Sequence, residues 1–222
     1  VNYDHKIGTD PTGAENPELL KMKLSAGHDN TIVNGISRIG WMSGGKSARW
    51  VDEDMADTFT HEAVKFIEDS AAAKKPFFVY VGYSELHQPI IPNPNFANKS
   101  PERSGVFADV IAEMDYRVGQ VLDAVKEAGI DDNTIIILSS DNATGGASPQ
   151  VGGRQNGPWR GDFFNTPFEG SMRVPAMIRW PGKVPAGVVT QEMLAAVDWL
   201  PTVAGMVGAS NLVPKDRPID GV

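Results

Sequence analysis

Cysteine is absent from the 222 residues of this chain. It therefore offers no disulfide, no thiolate metal ligand and no cysteine nucleophile. Long hydrophobic runs are missing too: no apolar stretch approaches the roughly 18 residues that a membrane-spanning helix needs. Basic residues are the minority, 20 Lys+Arg against 28 Asp+Glu, for a formal charge of −8. That balance argues against nucleic acid and against a membrane as partners, because both reward a basic face. It leaves a small anionic substrate open, since such a ligand responds to the local field. The opening residues Val1-Asn-Tyr-Asp-His-Lys6 are polar and do not read as a signal peptide. The compartment cannot be read from this.

What is present is ordinary for a globular chain. Hydrophobic residues make up 41% and charged residues 22%, and this length can bury a core of its own. Residues 1 to about 50 carry scattered Gly, Pro and charge and read as loop with short elements. From Asp54 to Asp69 the apolar positions Met55, Phe59, Ala63, Phe66 and Ile67 recur at helical spacing, with Asp52 or Asp54 placed to cap. The run Pro76-Phe-Phe-Val-Tyr-Val-Gly82 has the length and apolar continuity of a buried parallel strand. A longer helix is predicted from about Pro101 to Ala128, its stripe Phe107, Val110, Ile111, Met114, Val118, Val121, Leu122 and Val125, with Gly129 ending it. Arg173–Trp180 reads as a further strand, and Gln191–Val207 as a helix interrupted at Pro201. Helix, strand, helix, strand, strand, helix is the order of a layered α/β fold.

Chemistry concentrates at the end of one strand. Asn133-Thr-Ile-Ile-Ile-Leu-Ser-Ser-Asp-Asn142 is a β-branched run that stops in a carboxylate and an amide, before a Gly-rich loop. Ligands of open α/β sheets bind beyond the carboxyl ends of strands. Asp141 and Asn142 would offer hard oxygen donors to a divalent cation there. The plainer reading is a strand end finished by two good turn formers.

Several stretches then resemble one family, the sulfatases of the alkaline phosphatase superfamily. Lys75–Pro89 is similar to the family's strand leading to an active-site histidine. Met114-Asp-Tyr-Arg-Val-Gly119 resembles its MDxxVG helix motif. Asn133–Asn142 resembles the strand ending in its metal-binding Asp-Asn pair. Glu169–Ala176 with Arg179–Lys183 resembles its EGxxRVPxxxRWPGK signature. Asp198–Thr202 and Asp216–Val222 resemble two later signatures, all in the family's order. The resemblance implies an α/β fold, a truncated alkaline-phosphatase-like layered sheet with flanking helices, in one partial domain over residues 1–222. It also implies an internal piece. The family's N-terminal strand with paired Asp ligands is not found, nor is the Cys/Ser-x-Pro/Ala-x-Arg motif whose first residue becomes the formylglycine nucleophile.

Site roles come with that resemblance. Asp141 and Asn142 correspond to ligands of a divalent metal ion, calcium first, with manganese or zinc as alternatives. His87 corresponds to the histidine that contacts the sulfate or leaving group, and an imidazole can take or give a proton near neutral pH. The alternative for His87 is a loop histidine held by local hydrogen bonds. Lys46 and Arg160 could bind the anionic ester, against the alternative of solvated loop cations. Arg173 could simply pair with Glu169. Two functions remain open. One is an ester hydrolase with promiscuous, metal-assisted action on sulfate or phosphate esters, phosphodi- and triesters included, without a formylglycine. The other is an inactive remnant or oligomerising piece that needs the missing half, with unpaired sheet edges driving a homodimer or higher oligomer.

Overall fold

The computed structural model describes residues 10–21, 30–38, 49–101, 105–144, 156–163 and 167–221. Lys46 lies outside these residues. The chain divides into two compact units: residues 1–134 with 143–173, and residues 135–142 with 174–222.

The first unit opens with a small hairpin. Strands β1 (Ile32–Val33) and β2 (Ile36–Ser37) pair antiparallel through Asn34-Gly35. Both turn residues take positive φ, 53° and 82°. This is the backbone that a tight two-residue hairpin demands and that Asn-Gly supplies. A side chain at position 35 would also collide with Lys21, whose Cγ lies 2.5 Å from the place of a Cβ.

Helix α1 (Met55–Ala72) comes after a single 3-10 turn, Asp52–Asp54. Its buried row is Ala56, Thr60, Ala63 and Ile67, spaced four, three and four apart. The apolar row expected from the sequence is thus rotated: Phe59 and Phe66 face solvent. No side chain caps the helix. Asp52 instead forms a buried fork with Arg38, at 2.5 and 2.7 Å, and the Arg38 guanidinium sits 5.0 Å from the Trp50 ring centre.

Helix α2 (Gly105–Glu127) packs against α1. Gly129 ends it as expected, with φ of 69° and its N–H on the Lys126 carbonyl. Its buried residues include Asp109, Glu113 and Arg117 beside Val110, Ala124 and Val125, while Ile111 and Leu122 are exposed. Each buried charge has a reason. Arg117 reaches Asp57 of α1 and Glu113 one turn back. Asp109 accepts N–H groups of Asn98, Lys99 and Ser100 at 2.8, 3.2 and 2.7 Å. Burial alone would raise the Asp109 carboxyl, but these donors outweigh it and hold the group below its ordinary value. A small core of Ile90 and Val110, with Leu86, Val106 and Phe107, fixes the loop before α2 onto that helix.

The apolar run 76–82 is extended but joins no ladder among the described residues. A strand needs a neighbour to take its backbone hydrogen bonds, so the expected parallel strand is here a single extended segment. Phe77 meets Phe66 of α1 edge to face, with ring centres 5.9 Å apart.

In the second unit β3 (Ile136–Ser139) pairs antiparallel with β4 (Ala176–Arg179), in the register Ile136↔Arg179 to Ser139↔Ala176. The expected helix over 191–207 is shorter. A 3-10 turn at Ala196–Asp198 leads into a helix at Trp199–Met206. Pro201 has no N–H, and it falls in the first turn of that helix, where an N–H has no intrahelical partner.

The Arg38–Asp52 fork makes a direct prediction. Asp52→Ala, which leaves a buried guanidinium unpaired, should lower unfolding stability by about 3–5 kcal/mol. Replacing both residues by apolar ones of similar size should cost less. Urea unfolding of the three chains checks both values.

Candidate functional site

His87 sits at the exposed end of a turn between the extended segment and α2. Its backbone N–H donates to the Ser84 carbonyl at 2.9 Å, closing the turn. The next peptide, Gln88–Pro89, is cis. The imidazole Nδ1 lies 2.7 Å from the Gln88 carbonyl oxygen. A carbonyl only accepts, so Nδ1 carries the proton and Nε2 is the acceptor nitrogen of the neutral ring. The side chain is exposed.

Asp141 and Asn142 stand where the sequence puts them, directly after β3. The Asn142 N–H donates to Asp141 Oδ1 at 2.8 Å, and Ser140 Oγ donates to the Asn142 carbonyl at 3.1 Å. These short-range bonds fold the strand end into a compact turn with an exposed carboxylate. The turn-former reading is thus realised, and it does not compete with ligation, because the donor chemistry is right for a hard cation. The number is not. Calcium takes six to eight oxygens, and among the described residues no group of three His, Cys, Asp or Glu side chains could hold a metal ion.

Arg160 belongs to a loop of the first unit tied down by glycine and amide contacts. Asn156 Nδ2 donates to the carbonyls of Thr144 and Gly161 at 3.2 and 3.0 Å. The Arg160 carbonyl accepts the Gly170 N–H at 2.8 Å, at the start of α3 (Glu169–Met172). Only glycine fits at 170, since a Cβ there would lie 2.4 Å from the Gly161 oxygen. The Arg160 guanidinium rests 4.0 Å from the centre of the Phe168 ring and is exposed. No carboxylate among the described residues pairs with it. Arg173 does pair with Glu169 and lies over Trp159, as the i, i+4 spacing allows.

His87 and Arg160 therefore belong to the first unit, Asp141 and Asn142 to the second. Among the described residues no hydrogen bond or ion pair joins His87 to Arg160. Sequence reasoning missed Glu85, Glu113 and Arg117, which form a buried charged group behind the His87 loop. Arg117 stands inside the quoted MDxxVG-like stretch, but its spacing gave no sign that the arginine faces inward.

Comparison with known proteins decides the family. The family model described as Sulfatase matches residues 11–209. The chain belongs to the sulfatase family. It is 42% identical over 228 residues to an N-acetylgalactosamine-6-O-sulfatase of Bacteroides thetaiotaomicron, covering 99% of this chain and 43% of that protein. It is 33% identical over 171 residues to the N-acetylgalactosamine-6-sulfatase of Canis lupus familiaris, covering 77% and 32%. A solved sulfatase from work on glycosaminoglycan metabolism by Bacteroides thetaiotaomicron aligns with TM-score 0.84 and 39% identity, covering all of this chain and 46% of that one. The PsFucS1 sulfatase from Pseudoalteromonas sp. aligns with TM-score 0.69 and 29% identity, over 77% and 33%. The chain thus spans less than half the length of these relatives. Its fold is the alkaline-phosphatase-like α/β class of the sulfatases it matches, a family whose enzymes depend on divalent metal ions, generally calcium.

The His87 contact fixes a tautomer that can be read in solution. Nitrogen NMR of the labelled chain should show the neutral ring with Nδ1 protonated and Nε2 bare.

Proposed function

We propose that this chain supplies part of the ester site of a sulfate-ester hydrolase whose substrate is a sulfated amino sugar, of the N-acetylgalactosamine 6-sulfate type. The observation that carries this reading is the match along 99% of the chain to a relative of that name. Its own residues are suited to the task. The Arg160 guanidinium, stacked on Phe168 and paired with no carboxylate among the described residues, offers a planar fork to an anionic sulfate. Lys46, outside the described residues, is the other cation the sequence offers to an anionic ester. His87 presents Nε2 as an acceptor that can take a proton and return it to the leaving oxygen. Asp141 and Asn142 contribute two oxygens to a divalent cation, calcium first, with manganese or zinc as alternatives. The remaining ligands come from outside the described residues. A bound cation polarises the ester oxygens.

The sequence has no cysteine, so it carries no cysteine-derived nucleophile. Turnover by this chain alone is accordingly slow and relies on water. It extends to activated phosphodiesters, monoanions like the sulfate ester, and to neutral phosphotriesters, whose good leaving groups ask less of the site. The second reading, an inactive or oligomerising chain, is favoured by one observation: Phe78 and Tyr80 on the unladdered segment are 79% and 84% exposed. Such a surface suits a homodimer or larger assembly.

Aryl sulfates, N-acetylgalactosamine 6-sulfate and aryl phosphodiesters, offered with and without calcium, separate the two. The hydrolase reading expects measurable turnover, lost by about 100-fold in Asp141→Ala and in EDTA. Turnover indifferent to both defeats the metal-assisted reading, and no turnover at all with a stable oligomer in light scattering favours the second. With only two protein donors, calorimetry should give a calcium Kd on the order of millimolar. Tight binding to a monomer would contradict the two-donor site.

A further inference from the structure

Glu85 stands two residues before His87 and is 6% exposed. Among the described residues neither of its carboxyl oxygens has a hydrogen-bond partner. The backbone N–H groups of Glu85 itself and of Ser84 favour its ionised form without either forming a hydrogen bond to the carboxyl. The Ser84 hydroxyl is buried without a partner among the described residues as well. From the other side comes Glu113 of α2, 1% exposed. Its Oε2 accepts the N–H of Asn93 at 2.7 Å, and its Oε1 lies 3.5 Å from Arg117 Nη2. Two carboxyl groups are thus buried at one loop, residues 84–93: Glu113 of the helix bonds it at Asn93, and Glu85 lies within it. Between them the turn is closed by the His87 N–H on the Ser84 carbonyl, and Leu86 and Ile90 pack against Val110.

The charges do not balance. Facing Glu85 are Glu113 and Arg117 from α2 and Tyr83 from its own segment, whose hydroxyl bonds Thr60 of α1 at 2.8 Å. Arg117 is also the partner of Asp57 from α1. Within the buried group two carboxyls, Glu85 and Glu113, face one guanidinium and leave −1 if all are ionised, while Asp57, 59% exposed, is screened by solvent. A buried carboxylate without a donor takes up a proton rather than stay charged.

We propose that Glu85 is the positioning residue of His87: its carboxyl group is buried protonated beside Glu113, and losing that proton loosens the Ser84–His87 turn that presents the imidazole. Burial pushes the Glu85 carboxyl above its ordinary range; nearby backbone N–H groups pull against this, Glu113 adds to it, and Arg117 opposes it. The folded chain disfavours the ionised form, so the stabilisation is whole below the ordinary carboxyl value and is lost as pH rises through the raised one. An effect on hydrolysis rests on the role proposed for His87 above; the pH response of the turn does not.

Hydrogen exchange of the His87 backbone amide in the full chain, corrected for the intrinsic pH dependence, tests this directly. Between about pH 5 and about pH 8 the wild-type protection should fall by about tenfold. Glu85→Gln carries a neutral group of the same shape and should hold its protection over that range. Glu113→Gln removes the facing charge and should change the pH at which protection is lost. Constant wild-type protection, or a Glu85→Gln chain that falls in step with the wild type, would overturn the proposal. Should Glu85→Gln fail to fold, an unchanged profile in Glu113→Gln overturns it equally. The amide reports whether or not any ester is turned over, so an inactive chain fails the proposed function and still decides this point.

Discussion

Arg117 holds the first unit together at the point where its two long helices meet. One guanidinium nitrogen binds Asp57 of α1 and Gln120, and the other lies against Glu113. The Tyr116 and Phe96 rings lie 5.5 and 6.0 Å from the same group. A charge this deep is stabilising only while its partners stay in place, because an unpaired buried ion costs far more than the pair contributes. The helix seam is consequently specific rather than merely greasy. α1 buries Ala, Thr and Ile, α2 buries a row of mixed charge with Val and Ala, and the Arg117–Asp57 pair favours one rotation of the two helices against each other. The loop that carries His87 is hung from this seam through Glu113 and Asn93, so its placement depends on the same ion group.

That dependence explains which parts of the structure were legible in the sequence. The helices over 55–72 and 105–127 announce themselves by period, and Gly129 by its position after the last turn. The strand ending at Asp141-Asn142 announces itself by β-branching and by the glycine-rich loop on its far side. The helix faces were misjudged for a physical reason. Hydrophobic patterning places charge outside, yet Asp109, Glu113 and Arg117 are inside because each finds a donor or a counter-charge: Asp109 and Glu113 on backbone N–H groups of the loop before α2, Arg117 on Asp57 of α1. Those partners lie up to 60 residues away and leave no local trace. Asn34-Gly35 was a local hairpin signal that a reading of residues 1–50 as irregular passed over. Pro201 was recognised as a break, but the start of its helix obeys a rule about the first turn rather than an apolar period.

The functional residues divide in the same way. The Asp141-Asn142 pair could be read because both donors are consecutive and terminate a strand, and the local bonds there show the turn that two such residues make. His87 could be read only through resemblance; nothing in its spacing distinguishes it from a loop histidine. What the structure adds is the Gln88 carbonyl, which selects the tautomer and leaves Nε2 as the accepting nitrogen. Arg160 is marked by its surroundings. Arg173, in the Glu169–Ala176 signature, is already neutralised by Glu169, whereas among the described residues Arg160 meets an aromatic face and no carboxylate. A guanidinium that keeps its charge unspent in a strongly acidic chain is better suited to an anionic ligand than one already paired.

The segment 76–82 shows how far side-chain composition and backbone pairing can separate. Exposure alternates along it residue by residue, with Phe77, Val79 and Val81 half-buried and Phe78, Tyr80 and Gly82 exposed. That is the period of a strand, present here without a ladder. A sequence apolar on both faces is the signature of a strand covered on both. One face has cover, since Phe77 rests on Phe66 of α1. The other leaves two aromatic rings in water together with a row of backbone groups that no described residue pairs in a ladder. Burial of aromatic area is worth about 25 cal/mol per Å², and unpaired backbone recruits strands. These two forces are what the proposed oligomeric reading rests on, and neither involves the chemistry at His87.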